Sequence, residues 1–206
     1  MTRTHWLVGI SIVVLLLATA ANTETSKSLA FATYKEHVGR VKVIVGTFPA
    51  ALNDGERYFP LQIAVGVRGK GPELTLTAES FTLVDEDGVV YPMATLEEIR
   101  AEAGMIQFNE QVFRQNPLNV GGQYVNSRFV ISDFYPAVGV QIATIHLSRE
   151  SYFADAIYFP RPNIGLAGVL TLRIQPSGQD EPIDVRFEVP LKGKREMERR
   201  QKQGSG

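Results

Sequence analysis

The sequence predicts an all-β, antiparallel β-sandwich with one inserted short helix, and three observations predict it. Leu61, Ile63, Val65 and Val67 alternate with Gln62, Ala64, Gly66 and Arg68, so the four aliphatic side chains share one face of a strand. Near the end of the chain Leu170, Leu172 and Ile174 alternate with Thr171 and Arg173. Ile183, Val185, Phe187 and Val189 alternate with Asp184, Arg186 and Glu188. Joined through Pro176–Pro182, these runs read as an amphipathic hairpin with one solvated face. After Pro92 alone does the period lengthen, from two toward that of a helix.

Taken in order, the chain opens on a leader. Arg3 precedes an apolar run from Trp6 to Ala18, and Ala18-Thr19-Ala20 places small residues at a signal-peptidase site. The apolar run is shorter than the roughly 20 residues of a comfortable membrane span. Residues 1–20 therefore read as a signal peptide or, uncleaved, as a signal anchor. Either way the body lies outside the cytoplasm. Residues 21–30 are a polar linker, 31–191 the sandwich domain, and 192–206 a basic flexible tail.

Within the domain, Val41, Val43 and Val45 share a strand face, with Lys42 and Ile44 opposite. Thr47 to Glu56 holds Pro49, Asn53, Asp54 and Gly55 and reads as a loop. Leu74, Leu76, Phe81 and Leu83 continue the strand pattern past the Gly69–Pro72 break, and Asp85-Glu86-Asp87-Gly88 reads as a tight turn. Thr95 and Glu98 fit a capping box, and Leu96, Ile99, Ala103 and Ile106 lie on one helical stripe that Gly104 is placed to end. Asn116-Pro117 and Gly121-Gly122 mark a loop. Phe129 and Ile131 belong to the next strand, and Ile145 and Leu147 point inward with His146 outward. Ser151 to Phe159 is strand or irregular structure. Seven to nine strands result, the number of an immunoglobulin-like sandwich.

Composition narrows the function classes. The last fifteen residues hold six cations against two anions, which leaves the body between leader and tail with six more anions than cations. A mildly acidic domain with a basic tail is not a nucleic-acid reader, which carries its positive charge on the folded part. No cysteine is present. That excludes disulfides, Cys-ligated zinc, iron–sulfur clusters, thiol catalysis and lipid attachment through an N-terminal Cys.

From Arg57 to Pro92, the strand beginning at Arg57, the run Glu79-Ser80-Phe81-Thr82-Leu83-Val84-Asp85, and then Asp87-Gly88 and Tyr91-Pro92 resemble a broad group of bacterial extracytoplasmic immunoglobulin-like domains with an F-x-L-x-D-x-x-G-x-x-Y hairpin. The resemblance covers about 36 residues. It implies a fold and an export route, and it transfers no catalytic residue.

The candidate chemistry is sparse. A Ca²⁺ loop at Asp85–Gly88 lacks a further ligand in step, since Val89 and Val90 stand where acidic or amide side chains are needed. His37 and His146 are the two histidines beyond the leader, so a three-His zinc site is excluded. No G-x-S-x-G motif supports a serine nucleophile. Tyr152 to Pro162 is the most aromatic stretch. Tyr152, Tyr158 and Arg161 fit a binding surface, because aromatics and Arg supply most hot-spot energy. The competing reading puts Phe153, Ile157 and Phe159 in the core with the tyrosines flanking it. Glu97, Glu98 and Glu102 form the one dense acidic group near a loop rim, and their spacing also fits a solvated helix face. The basic tail has the composition to touch anionic headgroups or wall polymers.

The functional expectation is an exported, non-enzymatic binding or assembly module of the bacterial cell envelope, without cofactor, metal or catalytic residues. Its partner is a protein or an envelope component, not a nucleic acid. The alternatives are an envelope-acting hydrolase and, with the leader retained as a membrane tether, an accessory subunit of an envelope complex. Localisation is periplasmic or secreted, or membrane-anchored.

Overall fold

The computed structural model describes residues 33–53, 55–102, 104–118, 120, 124, 126–162 and 168–189. The leader, the linker and the basic tail lie outside the described residues. Among those described, no helix is long and apolar enough to cross a membrane.

Most of the described chain is β-structure in several largely antiparallel sheets. β1 (Thr33–Val38) and β2 (Val41–Gly46) form a hairpin whose turn uses Gly39 at φ +58°. β2 continues to β3 (Tyr58–Val67), and β3 pairs over its whole length with β9 (Ser151–Pro160). The short β7 (Arg128–Phe129) adds to β9 in parallel and completes a five-stranded sheet of order β1-β2-β3-β9-β7. A second sheet has the order β11-β10-β5-β6, with β5 (Phe81–Asp85), β6 (Val90–Pro92), β10 (Val169–Ile174) and β11 (Ile183–Glu188). A third, two-stranded sheet pairs β4 (Leu74–Leu76) with β8 (Ile145–Leu147).

One core joins the three sheets. Val43, Val45, Leu61, Ile63 and Val65 of the five-stranded sheet belong to the same buried cluster as Leu83, Leu172, Val185 and Phe187 of the four-stranded sheet. Burying each such side chain contributes roughly 1.5–3 kcal/mol relative to leaving it in water. At one margin the Tyr34 ring meets Phe187 at 5.9 Å, and its hydroxyl donates to the Glu188 carbonyl at 2.9 Å. That contact ties the β1 edge to the β11 edge, where unpaired backbone would otherwise be open to strangers.

Where the sequence predicts a single helix, the described residues form three α-helices. α1 (Phe48–Leu52) occupies the segment expected to be a loop. Pro49 sits in its first turn, where its missing N–H costs nothing, and Ala50 and Ala51 are buried. α2 (Leu96–Ala101) starts where expected: the Thr95 hydroxyl accepts from the Glu98 N–H, and the Glu98 carboxylate accepts from the Thr95 N–H. It stops at Ala101, and α3 (Met105–Gln115) follows. Gly104, expected to end a helix, begins one. Its φ of +76° redirects the chain at the start of α3, which breaks the stripe from Leu96 to Ile106 into two pieces. Ala103 lies outside the described residues. Of the two readings left open for Ser151–Phe159, the structure forms the strand, and one strand expectation changes: the strand at Phe129 ends before Ile131, which is exposed.

Candidate functional site

The outward side chains of β2, β3 and β9 are small where they meet the segment after α3. A Cβ on Gly66 would stand 2.2 Å from Tyr124 Cε1, and one on Gly46 would stand 2.6 Å from Leu118 Cδ2. The two glycines and Ala64 thus give this cover its seat, the role a strand glycine plays where another group approaches closely. The Tyr124 ring lies flat on Tyr152, centroids 4.7 Å apart and planes 1° apart, and Phe129 meets Tyr152 edge-on at 5.4 Å. The Tyr124 hydroxyl donates to the carbonyls of Lys42 at 3.0 Å and Ala64 at 3.3 Å. Gln62 Nε2 donates to the Asn116 carbonyl at 3.1 Å. Ile44, Ala64 and Tyr124 form a second buried cluster on this face.

The cover does not close completely. Between Phe113 of α3, Leu118, Phe129 and the β9 residues Tyr152 and Ala154 lies a cleft of about 330 Å³. Its walls are mostly apolar, with Gln62 and Asp155 as the polar exceptions. Asp155 falls on the inward stripe of β9, between Phe153 and Ile157, both fully buried. Its position follows from the sheet edge. β7 leaves β9 after Tyr152, whose carbonyl accepts from the Val130 N–H, and the next outside bond is from the Ala94 N–H to the Tyr158 carbonyl. In the gap the Asp155 carboxylate does a neighbouring strand's work. Oδ1 accepts from the Ala156 N–H at 2.7 Å and Oδ2 from the Phe134 N–H at 3.0 Å. Burial pushes the carboxyl up to about 6, against the pull of those two N–H groups, and neighbouring Asp133 adds to the rise.

A second feature stands on the chain leading away from β7. Val138 and Val140 are 90 % and 86 % exposed on the 136–140 loop, and Ile131 and Ile142 are also exposed. The loop is braced. Arg100 of α2 donates to the Pro136 carbonyl from Nε and Nη2, and from Nη2 to the Gly139 carbonyl. At the loop base Asp133 and Ile142 exchange backbone hydrogen bonds.

The residues singled out in the sequence are dispersed. Tyr152 is half-buried and lines the cleft. Tyr158 is 1 % exposed, its ring edge-on to Tyr135 at 4.7 Å. Arg161 braces the turn before β3: its N–H donates to the Arg57 carbonyl, and its guanidinium donates to the Asn53 carbonyl at 3.2 Å. Phe153, Ile157 and Phe159 are fully buried. Glu97 and Glu98 are exposed, with Glu98 used in the α2 cap, and Glu102 pairs with Arg57 at 3.4 Å. The Asp85 carboxylate accepts from the Asp87 and Val89 N–H groups and from the Tyr91 hydroxyl, which makes this acidic run the turn between β5 and β6. His146 is exposed beside Thr75 and Glu73. Among the described residues no group of three His, Asp or Glu side chains is arranged to hold a metal ion.

Sequence reasoning passed over Asp155 and Tyr124. Asp155 carried a usable signal: a lone carboxylate on the stripe Phe153, Ile157, Phe159. Tyr124 carried none, because its partners lie 60 and 82 residues away. No protein-family model, curated protein or solved structure matches the chain.

Proposed function

We propose that this chain is an exported, non-enzymatic binding or assembly module of the bacterial cell envelope that meets a partner protein through the apolar tip of the 136–140 loop. The observation that carries the reading is the pairing of Val138 and Val140, almost fully exposed, with a backbone held by Arg100. Exposed apolar groups cost solubility, and contiguous ones mark interaction sites. Holding the loop in place lowers the ordering cost of association. Export rests on the leader pattern, and the basic tail offers a further contact with envelope polymers.

The immunoglobulin-like reading of the sandwich belongs to the same proposal. Its support is the division of strands between two main sheets around one core. The order β1-β2-β3 keeps three consecutive strands in one sheet, whereas immunoglobulin domains move the third strand to the other sheet.

The test is a photo-crosslinking side chain at Val140 of the full chain in its native host, with one at Thr171 on β10 as reference. The expected result is a discrete protein adduct at Val140 that Val138→Asp strongly reduces and that Thr171 does not give. Matching adducts at both positions, or none at Val140, would overturn the reading.

A further inference from the structure

Four strands bound the two larger sheets: β1 and β7 the five-stranded one, β11 and β6 the four-stranded one. The outer edge of such a strand offers backbone groups that another strand can take. Three of these edges are blunted. β7 has two residues, and β6 is three residues long and ends on Pro92, which has no N–H to give. On β1 the His37 N–H is already held by the Glu36 carboxylate at 3.0 Å. β11 is different. It runs six residues, Ile183–Glu188, in unbroken register with β10 and without a proline.

The hydrogen-bond phase shows which β11 groups are open. The Val189 N–H donates to the Gly168 carbonyl, so the backbone groups of Phe187, Val185 and Ile183 also turn to β10. Those of Asp184, Arg186 and Glu188 turn to the outer edge. There the Tyr34 hydroxyl serves the Glu188 carbonyl at 2.9 Å. Among the described residues no hydrogen bond reaches the N–H or carbonyl of Asp184 or Arg186.

We propose that the β11 edge pairs antiparallel with β11 of a second copy of this chain, about a two-fold axis at Val185. In that register Asp184 and Arg186 of one copy stand opposite Arg186 and Asp184 of the other, and each such pair exchanges both backbone hydrogen bonds. The outward side chains Asp184, Arg186 and Glu188 alternate in sign, so opposite charges meet across the seam. Asp184 keeps its own Arg173, while Arg186 is loosely held, 3.9 Å from Glu86, and gives up little by turning to the other copy. The next pair sets Pro182 against Glu188. Pro182 has no N–H, and the carbonyl that such a donor would serve is the one Tyr34 already supplies. Other registers fit worse. A two-fold at Arg186 puts Arg186 against itself and Asp184 against Glu188, like charge on like. A two-fold at Phe187 needs the Glu188 carbonyl that Tyr34 occupies. The seam stands apart from the loop tip at Val138 and Val140, and neither proposal depends on the other.

The test is sedimentation of the full chain over a concentration series up to about 1 mM, together with amide exchange at Asp184 and Arg186. The wild type should pass from monomer to dimer, and the two amides should exchange more slowly as the concentration rises. These readouts need no variant to fold. Asp184→Arg leaves only positive charge at the two seam positions, and Arg186→Asp leaves only negative. Each variant alone should dimerise at least about tenfold more weakly, since both symmetric pairs turn repulsive. Mixed in equal amounts, the two variants should recover the wild-type association, because each then meets its opposite. A dimer that the single variants leave unchanged, or folded variants that do not recover on mixing, would overturn the proposal. A wild type that stays monomeric would also overturn it and leave the β11 edge to a strand of another protein.

Discussion

On β10 and β11 the side chains that point away from the core are Val169, Thr171, Arg173, Asp184, Arg186 and Glu188. On β3 and β9 they include Gln62, Ala64, Gly66, Tyr152, Ala154 and Ala156. Both sheets alternate, yet the first face meets water and the second is covered by Leu118, Val120 and Tyr124. The contrast lies in side-chain size and polarity. Long charged side chains keep their heads in water. A face of alanines and glycines has nothing to solvate and leaves room for other chain to lie on it. A strand whose second stripe is small rather than polar is therefore a strand awaiting a cover, and here the cover leaves the cleft at its rim.

The sharpest way to break the comparison is to put matched substitutions on the two faces. Gly66→Val drives side-chain atoms into the Tyr124 ring and the Tyr152 Cβ, and it should cost about 3 kcal/mol or more in urea denaturation. Thr171→Val on the open face should stay within about 0.5 kcal/mol.

The next largest effect separates the faces by pH. Folding raises the Asp155 carboxyl from an ordinary 3.8 to about 6, so the folded chain binds that proton more tightly than the unfolded one does. Its contribution to stability is greatest at acid pH and is lost as the pH rises through 6, a swing of about 2–3 kcal/mol between pH 4 and pH 7. The stability difference between wild type and Asp155→Asn, followed across that range, should show the swing.

Tyr124→Phe removes one hydroxyl that serves two backbone carbonyls while it keeps the stacked ring. It should cost about 1–2 kcal/mol and leave the cover in place. The smallest effect belongs to the open face. Arg173 meets Asp184 in a two-pronged pair at 2.9 and 2.8 Å, half exposed. A double-mutant cycle on that pair should give under about 1 kcal/mol, shrinking further in salt.

The same contrast explains which parts of the molecule can be read in the sequence. β3, β8, β10 and β11 are legible because their periods are uninterrupted, and the α2 start is legible because Thr95 and Glu98 make a local reciprocal cap. α3 is harder to see. Its buried residues Met105, Ile106, Asn109 and Val112 have helical spacing, but the stripe contains an amide. Asn109 is buried because Asn53 Nδ2 donates to its Oδ1 and its own Nδ2 donates to the Met105 carbonyl. That satisfaction is supplied by Asn53, the residue that caps the C-terminus of α1, 56 residues away. α1 itself, at five residues, is too short to show a period. The cleft is least legible, since Gln62, Phe113, Phe129 and Tyr152 meet only through the tertiary fold. Tyr158 and Arg161 share Tyr152's stretch of sequence but not its surroundings.

The most direct measurement of the covered face uses the absence of cysteine from the chain. Ala64→Cys places one thiol on the outward stripe of β3, where Ala64 is fully buried, and Asp184→Cys places one on the outward stripe of β11. Each single-thiol protein is exposed to a thiol reagent under native conditions and in urea. The account predicts that the thiol at 184 reacts at the rate of a free thiol, whereas the thiol at 64 stays protected until the protein unfolds. Equal native rates at the two positions would contradict it, because the outer face of β3 would then be as open as that of β11.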